Sequence, residues 1–327
     1  MAMTLSQRRR NERTTEAVRA AITGRAADPL GLAFQGAVLF ALLITLAVLV
    51  WLLGSVLSSA LPYLSERGLG GFLTGNLSSK PEKFGVSQGI EGSIWILVFV
   101  GFIAFPLGVA AAVYLEEYAT DSKLTRMVAV SIRNLAGVPS VVYGILGLVV
   151  FKELLGGSGK SDAAWWQFTG GPSLISAGLT MAILVLPIVI ITSTEAIRAV
   201  PNSLREAGFG VGATHSEVIR SHVLPYAAPG ILTGTVLAFA RAIGEAAPLL
   251  MVGAVTGLLG SQSGLTDTLQ GKFTALPMIV FQTAKRPDSG GWPAVTSATI
   301  LVLIVVLLVA NTVAIISRNR FEKRRSA

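Results

Sequence analysis

The 327-residue sequence contains no cysteine, only two histidines, and only 13% charged residues. Without cysteine there is neither a disulfide nor a thiolate metal site. His215 and His222 stand seven residues apart with no further ligand cluster, so no metal centre is expected. No Ser/His/Asp set and no pair of carboxylates suited to acid–base work is present, and no cofactor is expected. One segment, Gly156-Gly-Ser-Gly-Lys160-Ser161, imitates the end of a phosphate-cradling loop. The first glycine that such a loop needs is Leu154 here, and no strand leads into it. The low charge, against roughly a quarter in ordinary soluble domains, argues against a soluble fold.

Hydrophobic residues make up 52% of the chain, and mean hydropathy is +0.67. Several apolar runs reach the roughly 18 to 20 residues that cross a bilayer core as a helix. Six such spans are predicted: Phe34–Leu57, Gly92–Leu115, Leu135–Leu155, Pro172–Thr192, Tyr226–Val255 and Pro293–Ile316. The fold class expected is an all-α polytopic membrane protein. The first run follows Arg8, Arg9, Arg10 and Arg13 but is too long for a signal-peptide core, so it reads as an uncleaved span after a cytoplasmic tail, residues 1–33. A six-helix domain, 34–316, and a basic cytoplasmic tail, 317–327, complete the predicted organisation.

The formal charge of +8 does not point to nucleic acid, because Lys and Arg collect at the two tails and beside the apolar runs. With both termini inside, sixteen of them fall on the cytoplasmic side and eight outside: Arg67, Lys80, Lys83, Lys152, Lys160, Lys272, Lys285 and Arg286. That asymmetry follows the positive-inside rule.

The four middle spans carry interior prolines, Pro106, Pro139, Pro187 and Pro248. Each removes one backbone bond and strands the carbonyl four residues earlier: Phe102, Leu135, Ile183 and Gly244. Lipid satisfies no carbonyl, so these helices are expected to face protein or a wet path. Gly230-x-x-x-Gly234 permits close helix packing, consistent with an inner bundle of spans two to five flanked by spans one and six.

The loop 193–225 reads as two short helices. Ser203-Leu-Arg-Glu206 and Thr214-His-Ser-Glu217 both fit a capping box, and Pro225 is expected to stop the second helix. Glu206-Ala207-Gly208, three residues, Gly212, nine residues, then His222-Val223-Leu224-Pro225 resembles the EAA loop of binding-protein-dependent ABC importer permeases. Gly208 and His222 depart from that pattern without changing its spacing. Glu206 has two readings, a helix cap or a partner contact. Leu135-Ala-Gly-Val-Pro-Ser-Val-Val-Tyr-Gly144, the run Leu186–Pro201, and Ala240-Arg-Ala-Ile-Gly-Glu-Ala246 are similar to phosphate permeases. The ending, with Leu276-Pro277, Phe281, Trp292 and 311–321, resembles the PstA type more than PstC.

The resemblance implies a type I ABC importer permease fold and transport of inorganic phosphate by alternating access. It also implies the partners: a homologous PstC-like permease, two PstB-like ATPase subunits and an extracytoplasmic PstS-like phosphate-binding protein, all at a bacterial plasma membrane. ATP hydrolysis would then lie on the ATPase subunits. Glu206, Ala207, Gly208, Gly212, Leu224 and Pro225 would form the ATPase-coupling loop.

Arg241 and Glu245 lie near the middle of the fifth span, one turn apart on one face. A charge at the bilayer centre costs at least about 2.5 to 3.5 kcal/mol on insertion scales, so each needs a partner, a cavity or a substrate. Either the two satisfy one another, or the planar fork of Arg241 meets an oxyanion; the second reading is preferred. Arg133 reads as an interfacial cation or as a second cation for a divalent anion. Ser140 and Tyr143 are weaker candidates, equally suited to packing. A molybdate or sulfate permease would keep the loop but lack the Arg-Ala-Ile-Gly-Glu turn. A secondary transporter would need no coupling loop and shows inverted repeats, not seen here. A purely structural membrane protein would leave Arg241 unexplained.

Overall fold

The computed structural model describes residues 29–156, 171–254, 265–287 and 290–323, all helix, turn or loop with no strand among them. Twelve helices are described in chain order: α1 Pro29–Arg67, α2 Leu69–Thr74, α3 Ser87–Tyr118, α4 Lys123–Ala136, α5 Ser140–Leu154, α6 Leu174–Arg198, α7 Asn202–Gly210, α8 His215–Gly244, α9 Ala247–Val252, α10 Leu265–Gln270, α11 Leu276–Ala284 and α12 Trp292–Lys323. Of these, α1, α3, α6, α8 and α12 are long and apolar enough to cross a membrane, and the bent pair α4–α5 makes a sixth candidate when its two helices are taken as one span. Residues 1–28 of the predicted tail 1–33, the phosphate-loop imitation beyond Gly156 and the last four residues lie outside the described residues, and 29–33 already belong to α1.

The chain divides into two units, residues 1–55 and 56–327. In the first, the described chain from Pro29 is helix with every side chain exposed. In the second, α6 is central: 67% of its apolar window is buried, against 11% for α12. Small residues bring the helices together, which matters where lipid tails supply no hydrophobic drive between them. A Cβ on Gly230 would stand 2.7 Å from the Ala196 Cβ, and one on Gly234 would strike Thr192, so α8 lies directly against α6. Towards one end, Ala60, Leu64, Phe72, Phe84, Val86, Leu276, Ile279 and Trp292 form a separate buried cluster. Helix α11, absent from the predicted spans, is seated there; buried Ser93 of α3 accepts from the Leu276 N–H at 3.0 Å, satisfying one of its free N-terminal donors.

Four expectations need correction. The third span is not straight from Leu135: α4 and α5 are bent by 100° about Gly137-Val138-Pro139. Pro139 bars a continuous helix, and the Leu135 carbonyl accepts instead from the Val138 N–H at 3.0 Å and the Tyr143 hydroxyl at 2.8 Å. The fifth span is broken at Glu245-Ala246, where Glu245 is extended before Pro248 opens α9. Pro225 stops nothing. A π turn over Ile219–Val223, closed by the Leu224 N–H on the Ile219 carbonyl, shifts the bonding pattern by one and carries the helix through it. The same device, Val100–Ala104, precedes Pro106 in α3. Finally, Ser203 caps nothing: α7 starts from Pro201 with no side-chain cap, whereas the Thr214–Glu217 capping box is formed as expected.

Candidate functional site

Two regions contain the residues singled out by the sequence. The first is where the two broken helices meet. A Cβ on Gly144 of α5 would lie 2.8 Å from the Pro248 Cα, so the start of α5 is pressed against the start of α9. Tyr143 is held there by its bond to Leu135, within reach of the Arg241 charge. Arg241 closes the last turn of α8, and Glu245 is the residue at which that helix ends. Their ion pair is loose, Nε to Oε1 3.6 Å, beyond hydrogen-bonding distance. The buried Arg241 Nε has no hydrogen-bond partner among the described residues, while 38% of the side chain is exposed. Arg241 is thus electrostatically partnered but retains donor capacity. Irregular backbone at membrane depth is tolerated where it lines a cavity or is packed in protein, and broken helices of this kind position ions in transporters.

Arg133 is exposed on α4 and lines a different cavity, of about 160 Å³, between α4 and α6. Its other charged walls are Arg126, Arg198, Glu116, Asp121 and Glu195, so three arginines face three carboxylates. Arg126 is taken by Asp121 at 3.1 Å and Arg198 by Glu116 at 2.6 Å. Ser140 is half-buried at the first turn of α5.

The second region is the connection from α6 to α8. Helix α7 ends in a Schellman arrangement: the Ala213 N–H reaches the Gly208 carbonyl, and the Gly212 N–H that of Phe209. Gly212 takes φ +84°, which a side chain would strain. Gly208 is buried, its missing Cβ 2.7 Å from the Val218 Cγ2, so α7 folds back onto the first turns of α8. Leu224 joins the cluster of Ile197, Val218, Val223 and Ala227 that fixes this arrangement. Glu206 and Ala207 point outward, beside Phe209 (48% exposed) and Val211 (84% exposed). No side chain caps the start of α7, so Glu206 is not a cap.

Sequence reasoning missed the charge cluster beneath α7. The C-terminal π turn of α3 presents Glu116 and Glu117 in succession. Glu116 accepts from Arg198 of α6 at 2.6 and 3.3 Å. Glu117, its side chain only 5% exposed, accepts from Arg205 of α7 at 2.8 and 3.2 Å through one oxygen, and His215 Nε2 stands 3.7 Å from the other. Arg205 also donates to the Ile197 and Val200 carbonyls, capping the end of α6. The partners are 82 and 88 residues apart in the chain, so spacing gave no signal. Among the described residues no group of three or more His, Asp or Glu could hold a metal ion.

Residues 104–327 match the model of the family described as binding-protein-dependent transport system inner membrane component. A curated relative, "Phosphate transport system permease protein PstA 1" of Mycobacterium tuberculosis, is 31% identical over 286 residues, 86% of this chain and 85% of its own. "Phosphate transport system permease protein PstC" of Mesorhizobium japonicum is 28% identical, covering 75% and 77%. Among solved structures, a bacterial alginate ABC transporter in complex with alginate pentasaccharide-bound periplasmic protein has a chain that superposes with TM-score 0.57 at 15% identity, covering 86% of this chain and 93% of that one. The fold is that of type I ABC importer permeases. The chain belongs to the binding-protein-dependent inner membrane component family and is a permease subunit of an ABC importer.

Proposed function

We propose that this permease conducts inorganic phosphate inward, as one half of a path shared with a homologous permease. The observation that carries the reading is Arg241: a guanidinium at a helix break, held only loosely by Glu245 and left with donors to offer. Its planar fork suits a tetrahedral oxyanion, and the names of the PstA and PstC relatives make phosphate the first candidate. The sequence is nearer the PstA relative than the PstC one, which favours the PstA role.

Helix α7 is the proposed contact with the ATPase subunits. Glu206, Ala207, Phe209 and Val211 are exposed on an ordered helix-and-turn that resembles the EAA loop, and an exposed apolar pair on such an element suits a protein groove. The loop is then cytoplasmic, both termini lie inside, and a phosphate-binding protein delivers from the other face. Nucleotide chemistry is assigned to the ATPase subunits, whose closure moves α7. Residues 34–316 make up the permease domain, with 193–225 as its coupling segment.

The test is uptake of labelled phosphate by vesicles reconstituted with the four kinds of subunit, ATP inside the compartment that faces α7, with sulfate and molybdate as competitors. Selective, ATP-dependent phosphate uptake is expected. Sulfate or molybdate outcompeting phosphate would reassign the substrate and leave the importer architecture standing.

A further inference from the structure

We infer that Glu117 and Arg205 form a rigid strut through which α7 and the end of α3 move as one body during coupling. The inference deepens the proposed function, since it rests on α7 being the element that meets the ATPase. Three observations carry it.

Glu117 is nearly inaccessible, and its acceptors are engaged from two sides: Arg205 Nε and Nη2 on Oε1, and His215 facing Oε2. A charge so enclosed cannot part from its partner without being left uncompensated, so opening the pair is costly in any state of the transporter. Arg205 is itself committed on its remaining donors. Nη1 reaches the Val200 carbonyl at 2.8 Å and Asn202 Oδ1 at 3.2 Å, and Nη2 the Ile197 carbonyl at 3.1 Å. One side chain of α7 thereby ties α3 to the end of α6. Finally, His215 packs with tilted rings between Tyr118, 4.9 Å between ring centroids, and Phe209, 6.0 Å, so α3, α7 and the first turn of α8 also share an aromatic seam.

The neighbouring pair is built differently. Arg198 is half exposed and divides itself between Glu116 and Glu195. Solvent competes for Arg198, and Glu195 offers it a second carboxylate, so this pair opens more readily than one whose carboxylate is 5% exposed. The strut is therefore assigned to Glu117 and Arg205, both positioning residues, and not to Glu116 and Arg198.

Two measurements on the reconstituted four-component complex test this. The first is phosphate taken up per ATP hydrolysed, for wild type and Glu117→Gln. The expected result is retained ATPase assembly and ATP hydrolysis with the ratio lowered about fivefold or more, the lower end of what a coupling contact carries. An unchanged ratio overturns the strut while the permease reading survives. Absent uptake in wild type overturns that reading and the strut with it. The second keeps the pair intact, so that a poorly assembling Glu117→Gln complex does not end the matter. Because the chain has no cysteine, spin labels at Tyr114→Cys on α3 and Ser203→Cys on α7, both exposed, report the α3–α7 distance specifically when the other subunits carry no reactive thiol. One distance distribution in nucleotide-free and ATP-bound complexes supports a single body; two distributions overturn it.

Discussion

Arg241 carries a charge that a membrane helix accommodates only for a reason. Glu245 offsets it at 3.6 Å without a hydrogen bond. A purely structural pair would close that gap, because a buried donor without an acceptor costs about 1 to 3 kcal/mol. Arg241→Gln is expected to abolish phosphate uptake with the complex still assembled, measured as transport beside co-purification of the ATPase; normal transport would make the pair structural. The two residues were legible in the sequence because ionisable groups inside apolar runs are rare. Glu116 and Glu117 were not, since two adjacent carboxylates at the edge of a span look like solvated charge until tertiary contacts bring Arg198 and Arg205 against them.

The elements show which proline arguments could be made from sequence. Every interior proline must lose a bond, and that much was predictable, but the remedy differs from site to site. In α3 and α8 a π turn absorbs the loss; between α4 and α5 the chain bends and a hydroxyl substitutes. Pro139 forces a corner that an apolar pattern running past it does not reveal, which is why the third span was drawn too straight. Tyr143→Phe removes the Leu135 bond at that corner and is expected to lower stability by about 1 kcal/mol, read as the unfolding midpoint of the purified complex. On α7, spacing alone located the loop, although Ser203 misleads because the start it implies is occupied by Pro201. Glu206→Ala adds no strain to an exposed helix face, so α7 should stay folded; uptake should fall while ATP hydrolysis by the assembled complex continues, checked by measuring both on one preparation.

At the scale of the molecule, hydropathy alone gave six crossings because length and apolarity are local properties. Which of them lie inside is decided by packing, and α6 earns its central place through the small residues pressed against it from α8 and α5. The π turns have a consequence for helical phase. A π turn holds one residue more than the α-helix it interrupts, so it rotates everything beyond it by about 100° relative to an uninterrupted helix. In α3 the turn at Val100–Ala104 thereby sets the compass bearing of Glu116 and Glu117 some three turns further on. Deleting Phe102 should remove the extra residue of the π turn and swing both carboxylates away from Arg198 and Arg205, unfastening α7 without altering any residue it touches. The readout is protease sensitivity of the 199–214 connection, expected to rise in the deletion variant and to stay low in Phe102→Ala, which shortens a side chain but leaves the count of residues unchanged.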